Sequence, residues 1–363
     1  MKAALWSRRT FLSAGALLPI GESLLNAEKL QSELRKFRDP ATEFDVVRLT
    51  DPAYSSFLLP SHLRSVSQRG NHLLFASDRE GSLQPYRADT KSGEIRQLAN
   101  ISRLDPFALA FLPDERSICC FDAGLLVQVS GSSQKTRTIY EVPTGWSRAP
   151  GFGLSDDGLQ SVIVERNNEV SRLRVISMQR GVASTVLESK EPLQDAMPRP
   201  RRAGILYRQG GDCWLVNFDG AQNRKLKMAA GGLGPALWSI DGKTILYLSY
   251  PEDKTKLHQL REYTPDTNED KLIANTSQFV NFTRNTDNSV FAGVSASKAS
   301  PHILLLVRVA RRELTVAEHH AVDPSSVIVV FSPDSQRLFY QTDRQGKSAI
   351  FMMPVDRFVE NTE

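Results

Sequence analysis

The feature that most limits what this chain can fold into is a repeat. His72-Leu73-Leu74-Phe75-Ala76-Ser77-Asp78-Arg79-Glu80-Gly81 is followed by a second strand-like run at 83–87, a Ser-Gly turn and Ile95-Arg96-Gln97-Leu98. The same plan returns in Leu237-Trp238-Ser239-Ile240-Asp241-Gly242-Lys243-Thr244-Ile245-Leu246-Tyr247 and in Val330-Phe331-Ser332-Pro333-Asp334-Ser335-Gln336-Arg337-Leu338-Phe339-Tyr340. Weaker copies are Phe111-Leu112-Pro113-Asp114, Leu154-Ser155-Asp156-Asp157-Gly158 and Asn285-Thr286-Asp287-Asn288. These turns recur roughly every 36–48 residues, the length of a four-stranded propeller blade. One twisted sheet cannot cover both of its faces, whereas radial stacking covers them and leaves only short edges. With a less distinct unit at 204–227, the copies imply an all-β chain folded as a propeller of about seven blades.

The two ends of the repeat are complementary. Val46-Val47-Arg48-Leu49-Thr50 reads as an outer strand without inner partners, and 327–355 reads as three inner strands without an outer one. Pairing them would close the ring. A two-domain β-sandwich is the alternative architecture. Sustained apolar spacing of 3.6 residues is missing after the N-terminus, and so is a nucleotide-binding glycine motif.

The N-terminus has a different character. Ser7-Arg8-Arg9-Thr10-Phe11-Leu12 precedes a short apolar run at 12–20 and a small-residue region near Ala27. That order describes an export signal at 1–27, with Arg8 and Arg9 as the pair of a twin-arginine address. Ser13 stands where such a motif usually carries lysine, and a general secretory signal is the alternative. The apolar run is shorter than the ~18 residues a membrane span requires. The expectation is a periplasmic or extracellular bacterial protein. Residues 28–43 carry Leu30, Leu34 and Phe37 at helical spacing and read as a linker or short helix, ahead of a propeller at 44–358 and a tail at 359–363.

Composition removes several functions. The net charge is +4, with 45 Lys and Arg scattered among 41 Asp and Glu, so there is no nucleic-acid footprint. Three cysteines cannot all pair within the chain, and Cys119 and Cys120 would point to opposite faces of a strand, so they read with Cys213 as buried apolar residues. A monomer is expected.

Gly210-Gly211-Asp212-Cys213-Trp214-Leu215-Val216-Asn217-Phe218-Asp219-Gly220, with Trp238 and Ser249-Tyr250 downstream, resembles a stretch of the oligogalacturonate lyases. Arg48-Leu49-Thr50, residues 74–81 and Phe331-Ser332-Pro333-Asp334 resemble them too, so the likeness covers roughly 42–356. It implies β-elimination on short α-1,4-linked galacturonates, with manganese at the propeller mouth binding the uronate carboxylate and a histidine taking the proton at C5. That proton is weakly acidic, so the chemistry needs a base within hydrogen-bond reach and positive charge beside the developing enolate.

The residues depart from that pattern. Pro235 occupies the position of the family's base, three residues before Trp238. Asp212 stands where the family has an arginine, Ser277-Gln278 where it has Ser-His, and Ser326 and Ile328 near its last histidine pair. The six histidines are His62, His72, His258, His302, His319 and His320. A relocated metal site would draw on Gln278, His320 and Asp323; otherwise His319 and His320 sit in a solvated connection between blades. Arg79 could face the central channel, and Arg199, Arg201 and Arg202 could guide an anionic sugar. Trp146, Trp214 and Trp238 either stack on sugar rings or pack between sheets.

Three readings follow. The first is a catalytically degenerate relative that binds acidic oligosaccharide or a periplasmic protein and needs no cofactor. The second is an active lyase with a rearranged, manganese-dependent site. The third is a TolB-like interaction scaffold.

Overall fold

The structure, a computed structural model, describes residues 29–359. The expected export signal, with Arg8 and Arg9, lies outside the described residues, as do residues 360–363 of the tail. The described chain forms seven antiparallel sheets, five of four strands and two of five. The third blade shows the plan: Ser147–Leu154 lies innermost, followed outward by Gln160–Arg166, Ser171–Ser177 and Ala183–Ser189. Each strand follows its neighbour through a tight turn, so the whole sheet is built from local pairings.

Buried side chains collect between blades. Val290, Ile303, Leu305 and Val316 of the sixth sheet pack on Val329, Tyr340 and Phe351 of the seventh, and comparable clusters lie along the other junctions. Both faces of each sheet are therefore covered, which explains inner strands such as Val290–Ser295 that are buried at every position. Gly293 shows how tight this packing is. A Cβ there would lie 1.9 Å from the Phe279 ring, so only glycine lets that ring cross the strand. Cys119, Cys120 and Cys213 are free and buried, as their apolar neighbours suggest.

The ring closes by the pairing expected from its ends. The last sheet takes Val329–Phe331, Arg337–Thr342 and Ala349–Pro354 from the C-terminal part, then Asp45–Arg48 from the N-terminal part. Val47 pairs with Met352 and Arg48 with Phe351.

The linker or short helix expected at 28–43 requires a correction, because its described residues, 29–43, form neither a helix nor a free linker. Lys29–Leu30 adds a fifth strand to the first blade against Ile95 and Arg96, and Arg35–Arg38 adds a fifth to the seventh against Asp45–Arg48. Leu30 and Leu34 pack on the cluster joining those two blades, and Phe37 packs on the one beside it. An isolated helix of that length is marginal in water, whereas two open sheet edges offer unpaired backbone groups. The same apolar residues are partly buried, but in an extended clasp across the closing junction.

Among the described residues, helix is confined to a single turn at Pro324–Ser326 and another at Asp356–Val359, and no helix is long and apolar enough to cross a membrane.

Closure can be tested at Val46, which is fully buried in the closing strand. Val46→Asp places an unpaired carboxylate there and should cost about 3 kcal/mol or more in urea unfolding. Arg38→Ala, on the exposed clasp strand, should stay within about 0.5 kcal/mol. Equal midpoints for Val46→Asp and wild type would contradict a ring held by this strand.

Candidate functional site

The innermost strands line a central channel, and their bulges shape its upper mouth. The register slips between Arg148 and Phe152, between Gln194 and Met197, between Leu233 and Ala236, and between Phe279 and Asn281. A bulge leaves a residue out of the ladder and re-aims side chains at a rim. Gly151, Asp195, Pro235 and Val280 arise from these four irregularities, and all four line one cavity of about 590 Å³. Proline is tolerated in the bulge of the fifth blade because no ladder hydrogen bond is required there.

Arg208, at the end of Gly204–Gln209, organises the cavity wall. Its Nη1 donates to the Leu233 carbonyl at 3.0 Å, its Nη2 donates to that of Gly234, and its Nε lies 3.4 Å from the Asp195 carboxylate. Asp195 holds a positive φ of 50°, a bulge conformation that turns its side chain toward the guanidinium. Tyr250 covers the same stretch. A Cβ on Gly234 would lie 2.4 Å from its hydroxyl, so a larger residue would displace the ring. Burial raises the Tyr250 pKa, and Arg208 partly offsets that.

His62 sits at the waist of the channel. The first blade's innermost strand is only Ser56–Phe57, and the chain beyond it carries His62 to a position lining the upper cavity and two cavities at the opposite end. His62 is exposed to the solvent of the channel, although atoms of the channel wall lie on every side of it. Its Nε2 donates to the Phe152 carbonyl at 2.9 Å in the neutral form, which leaves Nδ1 without a bond to the described residues. Burial lowers its pKa, against the smaller raising effects of that hydrogen bond and of Asp195.

The sequence candidates are dispersed. Arg79 is turned away from the channel: its buried guanidinium pairs with Glu33 at 3.0 Å and lies over the Tyr86 ring. Arg199 and Arg202 both pair with Asp266, and Arg199 also covers Trp238. Arg201 is different, since it lines a channel cavity at the turn-side mouth. His320 is exposed and pairs with Glu318 at 2.6 Å, while Asp323 caps the Pro324–Ser326 turn through the Ser325 amide. His319 departs from the expected solvated connection. It is fully buried, with Nε2 on the Ser295 carbonyl and Nδ1 accepting from the Ala321 amide. Trp214 stacks on Tyr207 and Trp146 lies under Arg172, so the tryptophans serve packing.

Manganese needs several oxygen or nitrogen donors converging on one point. At the positions singled out by the sequence, Pro235 and Ile328 carry no side-chain donor, Asp212 is paired with Lys225 at 2.6 Å, and the Ser326 hydroxyl donates to the Asp323 carbonyl. Gln278 sits at a positive φ outside the cavity lining. Among the described residues, no three His, Cys, Asp or Glu side chains gather as a metal site. These residues do not fit the metal.

The fold and its mouth define a seven-bladed β-propeller with an open axial cavity. No protein-family model matches the chain. The oligogalacturonide lyase of Pectobacterium atrosepticum is 21% identical over 389 residues, spanning 93% of this chain and 100% of that protein. The oligogalacturonate lyase of Dickeya dadantii is 21% identical over 383 residues, spanning 92% and 98%. A solved oligogalacturonate lyase in complex with manganese has a TM-score of 0.85 at 20% identity, over 90% of this chain and 97% of that one. The oligogalacturonate lyase of Vibrio parahaemolyticus has a TM-score of 0.84 at 21% identity, over 91% and 98%. The chain resembles oligogalacturonate lyases in sequence and shares their fold over about nine-tenths of its length.

The geometry predicts a pH effect. His62 has its pKa lowered below 6.5, as do His319 and His72, burial being the first cause for each. The unfolded chain then binds more protons than the native one just below that value. Their contribution is complete above about pH 6.5 and is lost as pH falls. Urea unfolding of His62→Gln should show a shallower loss of stability between about pH 6.5 and 5 than wild type. Superimposable pH profiles would mean that His62 is not held neutral.

Proposed function

We propose that this chain is an exported propeller of the oligogalacturonate lyase type that lacks the lyase chemistry and binds acidic oligosaccharide in the upper cavity. The observation that carries the reading is Pro235 in the bulge of the cavity wall, where β-elimination needs a base. The cavity volume falls within the usual range of about 300–1,000 Å³ for small-molecule sites. Arg208 supplies positive charge there, and Tyr250 supplies an aromatic face with a hydroxyl that has no partner among the described residues. A uronate offers the matching pair, a carboxylate and a sugar face. The export signal at 1–27 would deliver the protein to the compartment where such fragments arrive.

One observation favours a second reading. His62 presents an unbonded Nδ1 to the channel and is held toward its neutral form, the state a general base requires. Active β-elimination through His62 is therefore the rival.

Purified protein with oligogalacturonates and manganese should give no ultraviolet absorbance from unsaturated product. Trigalacturonate should raise the melting temperature saturably, and Tyr250→Ala should weaken that binding about tenfold, or ~1.4 kcal/mol. Product that disappears in His62→Gln would establish the rival. Absence of both product and stabilisation would overturn sugar binding and leave a periplasmic protein partner, sought by pull-down.

A further inference from the structure

The opposite end of the channel holds a concentration of positive charge that the upper cavity does not involve. Arg64 comes from the segment after Phe57, Arg201 from the turn after Leu193–Pro198, and Arg284 from the end of Phe279–Arg284. All three line one cavity of about 390 Å³ at the turn-side mouth, and Arg64 and Arg284 also line an adjoining one of about 310 Å³. None of them lines the upper cavity.

These three arginines share one cavity and have few protein partners. Arg199 and Arg202, on either side of Arg201, converge on Asp266, yet Arg201 has no ion pair among the described residues and sits at a positive φ of 58°. Arg64 donates only to the Asp156 backbone carbonyl at 3.3 Å, and Arg284 donates through Nε to the Trp238 carbonyl at 2.9 Å. Both Nη groups of Arg284 therefore remain without protein partners among the described residues. Burial pushes the Arg284 pKa down to about 10, against attraction from Asp156 and Asp241. Asp156 is the opposing carboxylate at this mouth. It lies within electrostatic range of all three arginines but forms an ion pair with none, and burial raises its pKa. Three guanidinium groups share a partly desolvated cavity with one carboxylate, an arrangement that a bound anion would relieve.

We propose that the turn-side mouth binds a small oxyanion, a carboxylate or phosphate group, held by Arg64, Arg201 and Arg284. Guanidinium forks match both groups, and a low-dielectric channel mouth concentrates such ions. This site is independent of the sugar-binding reading, because it lies at the other end of the channel and shares no arginine with it.

Calorimetric titration of the full chain with inorganic phosphate, citrate and monomeric galacturonate tests the proposal. At least one should bind saturably at millimolar concentration or below; a phosphate-only response assigns a phosphate site, and a carboxylate-only response a carboxylate site. Arg201→Ala should weaken binding about tenfold, and Arg64→Ala with Arg201→Ala should abolish it, with the melting temperature of the free protein unchanged. Arg201 is exposed and Arg64 only partly buried, so folding should survive both changes. Tyr250→Ala should leave this binding intact whatever it does to trigalacturonate. No response to any of the three ions, an unaltered response in the double variant, or loss in Tyr250→Ala would each overturn the site.

Discussion

Everything in this molecule depends on one junction, where Asp45–Arg48 pairs with Ala349–Pro354. Each blade forms from local hairpins, but its faces are covered only by its neighbours, so a chain of blades with free ends leaves two apolar faces in water. The pairing of Val47 with Met352 and Arg48 with Phe351 joins the most distant parts of the sequence and removes both faces at once. The clasp formed by Lys29–Leu30 and Arg35–Arg38 strengthens that junction by adding strands to the two blades that meet there. Closure also fixes the channel. Its two mouths exist because seven inner strands are held at a common radius.

The propeller was legible because its signals are local. Asp-Gly, Ser-Pro-Asp and Asp-Asn turns mark where strands reverse, and their spacing gives the blade length without knowledge of any distant contact. The closing strand was legible for the same reason, since an orphan outer strand and three orphan inner strands imply each other. The clasp was not. Leu30, Leu34 and Phe37 satisfy helical spacing, and nothing local reveals two open sheet edges waiting on either side. Here tertiary context overrode periodicity.

The candidate sites were harder to read, and the residues show why. Arg79, Arg199 and Arg202 drew notice as arginines beside turns, but each pairs with the carboxylate of another segment. His62 gave no motif, because it lies on an irregular connection whose path through the channel appears only once the ring is closed. Arg208, Asp195 and Tyr250 come from different strands and are brought together by bulges that leave no clear mark in the sequence. Pro235 is the exception. It stands at the position where the resemblance expects a base, and the structure puts it on the cavity wall.

That placement bears on how a propeller can part from its relatives in chemistry while keeping their fold. Blade packing depends on residues buried between sheets, whereas mouth chemistry depends on side chains released from the ladder by bulges. A substitution such as proline at a bulge costs the sheet little, since no ladder hydrogen bond is lost there. The two sets of residues are thus nearly decoupled, so a likeness in scaffold leaves the residues of the mouth free to differ. The same decoupling applies at the turn-side mouth. There Arg64, Arg201 and Arg284 are held by backbone carbonyls or turn geometry rather than by carboxylates, so the ring supplies their positions and leaves most of their charge free for a ligand.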